Sequence, residues 1–403
     1  MELFWLEHKK LWRKKIVKIC VLLCFVYCVI FGSILSFQWF SFGSSDDYTS
    51  AFGNNFDGYT VIKDSQEYAL SFGGELTDET LQKIVSDYQQ MEADGMGEEL
   101  EKTDWQIVNN WLGTLYPELR DTSNYKTMIS YVDPDKLTGF YERRQQVLDE
   151  FLEVSGQVGA EKEFLHQIER KVEKPFHYEW VEGWSTLLGS MVADLGVVMA
   201  LFLGIVLSSL FAGEWHDNTS TLVLTTRNGW GKIALAKILT GLAFTVELFA
   251  LLAVSNVISQ LFFMGTAGWD MPIQNIKLIA VAPMNMLQAE IYEYAFVLLG
   301  AIGFAGIVMF ISAAVKNNVL TLLLSLAVVY GPMMIAEYLP YEMQKALDLI
   351  PLVGSSTDIF RTNTFRIFGK LIWSPYLLIT IPVLIGILCM PFAIKSWSRR
   401  MKA

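Results

Sequence analysis

Six stretches of this chain, roughly 16–40, 187–212, 233–263, 289–315, 319–338 and 376–395, are long runs of mainly apolar residues. About 20 such residues make a helix long enough to cross the hydrocarbon of a bilayer. Inside lipid every backbone N–H and C=O must find its partner within the segment, so each run is expected to be a helix. An apolar share of 52% against 18% charged residues is compatible with this because the charges fall between the runs. The expected fold is an α-helical polytopic membrane protein with six transmembrane helices. Only Lys316, Asn317 and Asn318 separate the fourth and fifth runs, so that junction is either a tight turn or a kink within one long hairpin.

Lys and Arg near span ends are retained on the cytoplasmic side. Lys9, Lys10, Arg13, Lys14, Lys15 and Lys18 crowd the start of the first run. Arg227 and Lys232 lie between the second and third with Lys237 at the loop end of the third, Lys316 follows the fourth, and Lys395, Arg399, Arg400 and Lys402 close the chain. Both termini are therefore expected inside, with residues 41–185 and 339–375 outside. Arg361, Arg366 and Lys370 fall on that outer side, balanced by Glu337, Glu342, Asp348 and Asp358. A basic start followed by an apolar run also fits a cleaved signal peptide, but the run is too long and no A-x-A-like site follows it. Ahead of it, in residues 1–15, Phe4, Trp5, His8, Leu11 and Trp12 share a helical face with Ile16, while Glu7, Lys9, Lys10, Arg13 and Lys14 lie largely opposite. Such a helix is expected to lie in the headgroup layer.

Residues 41–185 carry 29 acidic and 12 basic side chains, net −17, whereas the rest of the chain is net +6. That length suffices for a domain with its own core. Its signals are mostly helical. Thr103 and Gln106 form a capping box ahead of Trp105, Val108, Trp111 and Leu112. Asp133 and Pro134 give a cap and a first-turn proline ahead of Leu137, Phe140, Tyr141, Val147, Leu148 and Phe151. Further helices are expected near 78–91 and 160–172, and short strands within 54–74. The acidic surface can attract cationic ligands such as antimicrobial peptides, or serve only solubility. No cysteine lies in this domain. Cys20, Cys24 and Cys28 share one face of the first run and Cys389 lies in the last; small residues on one face favour helix packing in lipid over a metal or lipidation site.

Catalytic signatures are missing from the sequence. It contains no G-x-x-x-x-G-K-[ST] phosphate loop, no H-E-x-x-H and no G-x-S-x-G, so neither ATP hydrolysis nor proteolysis is expected of this chain. Glu247 lies within the third run, where an acid is costly and marks a functional hypothesis. It could contact a polar substrate in the transport path, pair with a polar group on a neighbouring helix, or be held neutral in a packing interface.

Between the second and third runs lies a polar, helix-compatible segment. Its residues Glu214, Asn218 to Thr219, Leu222 to Thr226, Arg227, Gly229 and Lys232 to Lys237 resemble the cytoplasmic loop of permease subunits of ABC transporters of the type-2 exporter class. The basic interfacial helix, the six spans and the proline-bearing segment 340–375 with Leu349-Ile350-Pro351-Leu352 are similar to that family too. The large insert between the first and second spans is similar to a Gram-positive subset of it. The chain departs from many relatives in having Asn218-Thr219 and Arg227-Asn228-Gly229 where they carry Gly-Thr and a proline.

The resemblance implies a coupling loop over 213–232 that docks on a separate ATPase, through Glu214, Trp215, Asp217, Asn218, Thr219, Leu222, Leu224, Arg227 and Lys232. The interfacial helix with Phe4, Trp5, Leu11 and Trp12 would move with it. In that reading Glu214 opens a polar helix, Leu222, Val223 and Leu224 form an apolar ridge, and Asn228-Gly229 ends the helix. It further implies two ATP-binding subunits that hold ATP and Mg, a second permease identical or related, no nucleic acid, and residence in the plasma membrane of a Gram-positive bacterium. The exported substrate would be hydrophobic or amphipathic: an antimicrobial peptide, lantibiotic, drug or lipid. Two other classes fit the same pattern: a toxin-sensing or immunity protein, and a receptor or scaffold unrelated to ABC transport.

Overall fold

The computed structural model describes residues 1–41, 66, 73–96, 105–188, 192–217, 219, 231–354 and 362–399. The N-terminal region forms two helices, α1 (Glu2–Arg13) and α2 (Lys15–Ser41), broken where Lys14 adopts an extended backbone with φ −66° and ψ 129°. With 27 residues, α2 is about 40 Å long at about 1.5 Å per residue.

The domain that follows is closed by a short antiparallel pair. Strand β1 (Gly74–Leu76) meets β2 (Phe176–Tyr178), joining the domain's described start to its end. Between them lie α3 (Asp78–Ala93), α4 (Trp105–Leu115), α5 (Phe140–Val154) and α6 (Ala160–Glu169). Their apolar faces bury Leu81, Val85, Trp111, Leu112, Leu148 and Leu165, and the rings of Trp111 and Tyr178 meet edge-on at 5.3 Å. The helices expected near 78–91 and 160–172 are present. The one anticipated from Asp133-Pro134 is divided: Asp133 caps only a 3₁₀ turn at Pro134–Lys136, and α5 begins after Gly139. The cause is a cap from far along the chain. The Asp78 carboxylate accepts the Gly139 and Phe140 N–H groups at 2.7 and 3.0 Å, with Gly139 at φ 72°, a conformation glycine adopts without strain. Thr103 and, apart from Gln66 and 73–74, the segment expected to form strands lie outside the described residues.

A short helix α7 (Glu182–Thr186) leads to α8 (Val192–His216), α9 (Lys232–Met264), α10 (Met286–Ala314) and α11 (Asn318–Ile335). After α12 (Tyr341–Leu347) and a hairpin of β3 (Thr364–Ile367) with β4 (Lys370–Trp373), α13 (Ser374–Arg399) ends the described chain. Five of these helices, α8 to α11 and α13, are long and apolar enough to cross a membrane, with mean hydropathies from 2.0 to 2.6. The architecture is that of a helical membrane protein. Asn317 resolves the junction before α11 as a tight turn: its side chain accepts the N–H groups of Val319 and Leu320 at 2.9 and 3.0 Å. Packing centres on α10, which touches α8, α9, α11 and α13. Its closest approach is to α13, where Gly303 and Gly306 face Pro382 and Gly386. On α2, Val17, Cys20, Cys24 and Cys28 form a buried stripe, and α2 packs on α9. Leu352, with φ 62°, is buried over Gly300.

The domain is tied to other segments at its end of the bundle. Arg144 of α5 is fully buried; its Nε donates to the Leu278 carbonyl at 2.8 Å, one terminal nitrogen to the Ala280 carbonyl at 3.1 Å, and the other to Glu169 at 2.6 Å. Trp111 Nε1 donates to the Asn275 carbonyl at 2.7 Å. The α9–α10 connection, to which the sequence assigned no part, is thereby built into the domain. The β3–β4 hairpin joins it as well: the Thr364 hydroxyl donates to Gln157 at 2.9 Å, and Arg366 pairs with Glu161. That pairing gives a partner to Arg366, one of four basic residues in a segment the charge pattern placed outside.

Burial works to raise the pKa of Glu169, but hydrogen bonds from Arg144 and Lys174 outweigh it and hold the carboxyl below its usual 4.5. A carboxyl shifted down on folding contributes stability above its unfolded pKa, and that contribution is lost as pH falls through the folded value. Thermal unfolding of the purified protein is therefore expected to shift to lower temperature as pH drops below about 4.5, by less in Glu169→Gln. An identical pH dependence in wild type and variant would refute the assignment.

Candidate functional site

At the end of the helices opposite the domain, α1 lies across α9 and carries charges inward. Three helices contribute to one cluster: Glu7 and Lys10 from α1, with Lys14 just after its end, Ser209 and Glu214 from α8, and Lys237 from α9. Glu214 is 4% exposed and Lys237 is 2% exposed. The Glu214 Oε1 accepts from Lys10 Nζ at 2.5 Å and from Lys237 Nζ at 2.9 Å, and its other oxygen accepts the Thr219 hydroxyl. Lys237 also donates to Glu7 at 2.8 Å, and Lys14 donates to Ser209 Oγ at 2.9 Å. Burial opposes the charge on Lys10, but the Glu214 carboxylate more than compensates and raises its pKa. Lys14 shows the opposite balance: burial, with Lys237 and Lys10 nearby, lowers its pKa. The groups enclose a cavity of about 30 Å³.

A second contact lies further along α9. Trp12 Nε1 donates to Glu247 Oε2 at 3.0 Å, His8 Nε2 lies 3.1 Å from Glu247 Oε1, and the Trp12 ring meets Phe244 edge-on at 5.8 Å. The Glu247 side chain is 43% exposed. Of the three roles open to it from sequence, this geometry matches pairing with a neighbouring helix. Trp215, at the end of α8, packs on the buried Trp397 of α13 at 6.0 Å, and Lys316 lies over its ring at 4.5 Å. Between α8 and α10 the Ser312 hydroxyl donates to the Ser208 carbonyl at 2.7 Å and accepts the N–H groups of Phe211 and Ala212 at 3.1 Å.

The residues expected to couple to an ATPase are thus unequally placed. Glu214 does not open a new helix; α8 runs through to His216, and Glu214 is buried in its last turn. The reason is the clasp itself, which lets a carboxylate sit where solvent is excluded. Asp217 is exposed beside His216, and Lys232 opens α9 on the surface. Asn218, Leu222, Leu224 and Arg227 lie outside the described residues. On α1, Leu11 is buried and Trp12 is half-buried against α9, Phe4 stacks on His8 at 5.5 Å, and Trp5 is exposed. The roles of Glu7, Lys10 and Lys237 as a clasp were not foreseen, because topogenic lysines and structural ones look alike in sequence. Glu290 and Glu293 were also missed; the available signal was two acids three residues apart in an apolar run. At the domain end a larger cavity of about 380 Å³ opens between the domain and the α9–α10 connection, lined in part by Lys171, Glu173, His177, Asp270 and Gln274.

Set against protein-family profiles, curated proteins and solved structures, the chain matches none.

Proposed function

We propose that this chain is the permease subunit of an ATP-driven exporter of the ABC type. In this reading α2 is a sixth span, the acidic domain lies outside the cell and the clasp lies at the cytoplasmic face. ATP and Mg are held by a partner ATPase, and a second permease completes the translocation path for a hydrophobic or amphipathic substrate. The observation that supports it best is the Glu214 clasp. The connection between α8 and α9 is flanked by Glu214 and Lys237, and both are tied to the same interfacial helix. A force applied to that connection must move α1, α8 and α9 together, since packed interfaces switch between discrete arrangements more readily than they deform.

The clasp also dictates how docking should be tested. Changing Glu214 would disturb the helix ends as well as any docking surface, so substitutions belong in the loop. Affinity purification in mild detergent is expected to recover a P-loop ATPase with wild type, and to lose most of it with Leu222→Asp combined with Arg227→Glu at equal membrane levels. If wild type brings down no ATPase, the permease reading fails, and a receptor or immunity role takes its place.

A further inference from the structure

The buried charges described so far are clasped: Glu214 by two ammonium groups, Arg144 by Glu169 and two carbonyls. Two acids on α10 are not. Glu290 and Glu293 are 3% and 0% exposed, and none of their four carboxyl oxygens makes a well-formed hydrogen bond, Tyr294 being the polar neighbour close to Glu290. Three residues apart, they share one side of the helix. The buried Tyr294 hydroxyl lies against Glu290 and Asn256 but reaches no well-formed hydrogen bond with either. Lys277 is near enough to act on Glu293 through its field but does not bond to it. The ring of Phe249 stands 6.1 Å from that of Tyr294. Acids inside an apolar helix bundle are expensive, and their lone pairs are unmet here.

We propose that Glu290 and Glu293 form the anionic half of a binding site for an organic ammonium group. An ammonium offers three N–H donors, which suit two carboxyls and a tyrosine hydroxyl, and an aromatic wall favours an organic cation. A hard metal ion would want about six or more oxygen ligands, and no group of three metal-ligating side chains occurs among the described residues. The site stands apart from the coupling cluster, so it can be tested without any ATPase.

The probe is tritiated 2-phenylethylamine, bound to the full-length protein in detergent micelles and read by scintillation proximity. Wild type is expected to bind it saturably, with competition by unlabelled amine and none by 2-phenylethanol, its uncharged analogue. Glu290→Gln and Glu293→Gln should each weaken binding about tenfold or more, whereas Glu290→Asp keeps charge-selective binding. Glu337→Gln, at an exposed acid beyond α11, should bind as wild type does. Absence of saturable binding to wild type, equal competition by the alcohol, or unaltered binding in both glutamine variants overturns the proposal. Competition by sodium or calcium at constant ionic strength overturns the ammonium assignment in favour of a metal ion. The amine–alcohol comparison needs only wild type, so a variant that fails to fold leaves the proposal open to refutation.

Discussion

Gly303→Leu is expected to abolish recovery of folded protein. A Cβ at position 303 would lie 2.3 Å from the Pro382 carbonyl oxygen and 2.7 Å from its carbon, both backbone atoms of α13. No rotamer change relieves a clash with backbone, so the helices must separate. They cannot do so locally, because Gly306 meets the Gly386 carbonyl oxygen at 2.4 Å by the same measure, and Gly386 meets Gly303 Cα at 2.5 Å. Overpacking a tight interface costs about 1–3 kcal/mol and at times more; a displaced helix pair belongs at the upper end. In lipid, where apolar tails compete with apolar side chains, such close contact is a main source of helix association. The control is Gly331→Leu on α11, where a Cβ meets nothing within 4 Å. Size-exclusion profiles and thermal unfolding in detergent should show Gly331→Leu near wild type and Gly303→Leu aggregated or absent. Equal behaviour of the two would mean that α10 and α13 do not meet as described.

That interface was hard to see in the sequence for a physical reason. Apolar periodicity reports that a helix is embedded, not which face meets which neighbour, since lipid and protein are equally apolar. The helices themselves were legible: the runs at 233–263, 289–315 and 376–395 match α9, α10 and α13 to within a few residues. The small-residue face at Cys20, Cys24 and Cys28 was legible too, because regular spacing on one helix needs no knowledge of a partner. Asp78 capping α5 could not be read from local patterns, because the acid and the N–H groups it satisfies are 61 and 62 residues apart. The clasp was half legible. Glu214 stood out as polar at the end of an apolar run, but its partners lie 204 and 23 residues away in the chain, and a basic residue near a span end has a topological explanation already.

Lys237→Met should separate the clasp's structural weight from any docking role. The substitution keeps a long, unbranched side chain but leaves Glu7 without its lysine and Glu214 with only Lys10 and the Thr219 hydroxyl. Removing one partner from a buried ion pair costs about 3–5 kcal/mol, because the remaining charge stays desolvated. The low exposure of Glu214 and Lys237 places this pair in that regime, whereas Lys10 reaches Glu214 from a half-exposed position. Two readouts are expected to move together: the thermal unfolding temperature falls, and trypsin cleaves faster at Lys9, Lys10 and Arg13 as α1 loosens. Glu214→Gln should recover part of the loss when combined with Lys237→Met, since a neutral amide no longer demands a counter-charge; the coupling expected for contacting residues is about 0.5–3 kcal/mol. Unchanged unfolding and cleavage in Lys237→Met would show that α1 is held by Leu11, Trp12 and the Glu247 contact alone. If instead α1 loosens while the loop residues are untouched, then an effect on ATPase recovery must pass through the helix ends, which is the mechanical link that a coupling role for this cluster requires.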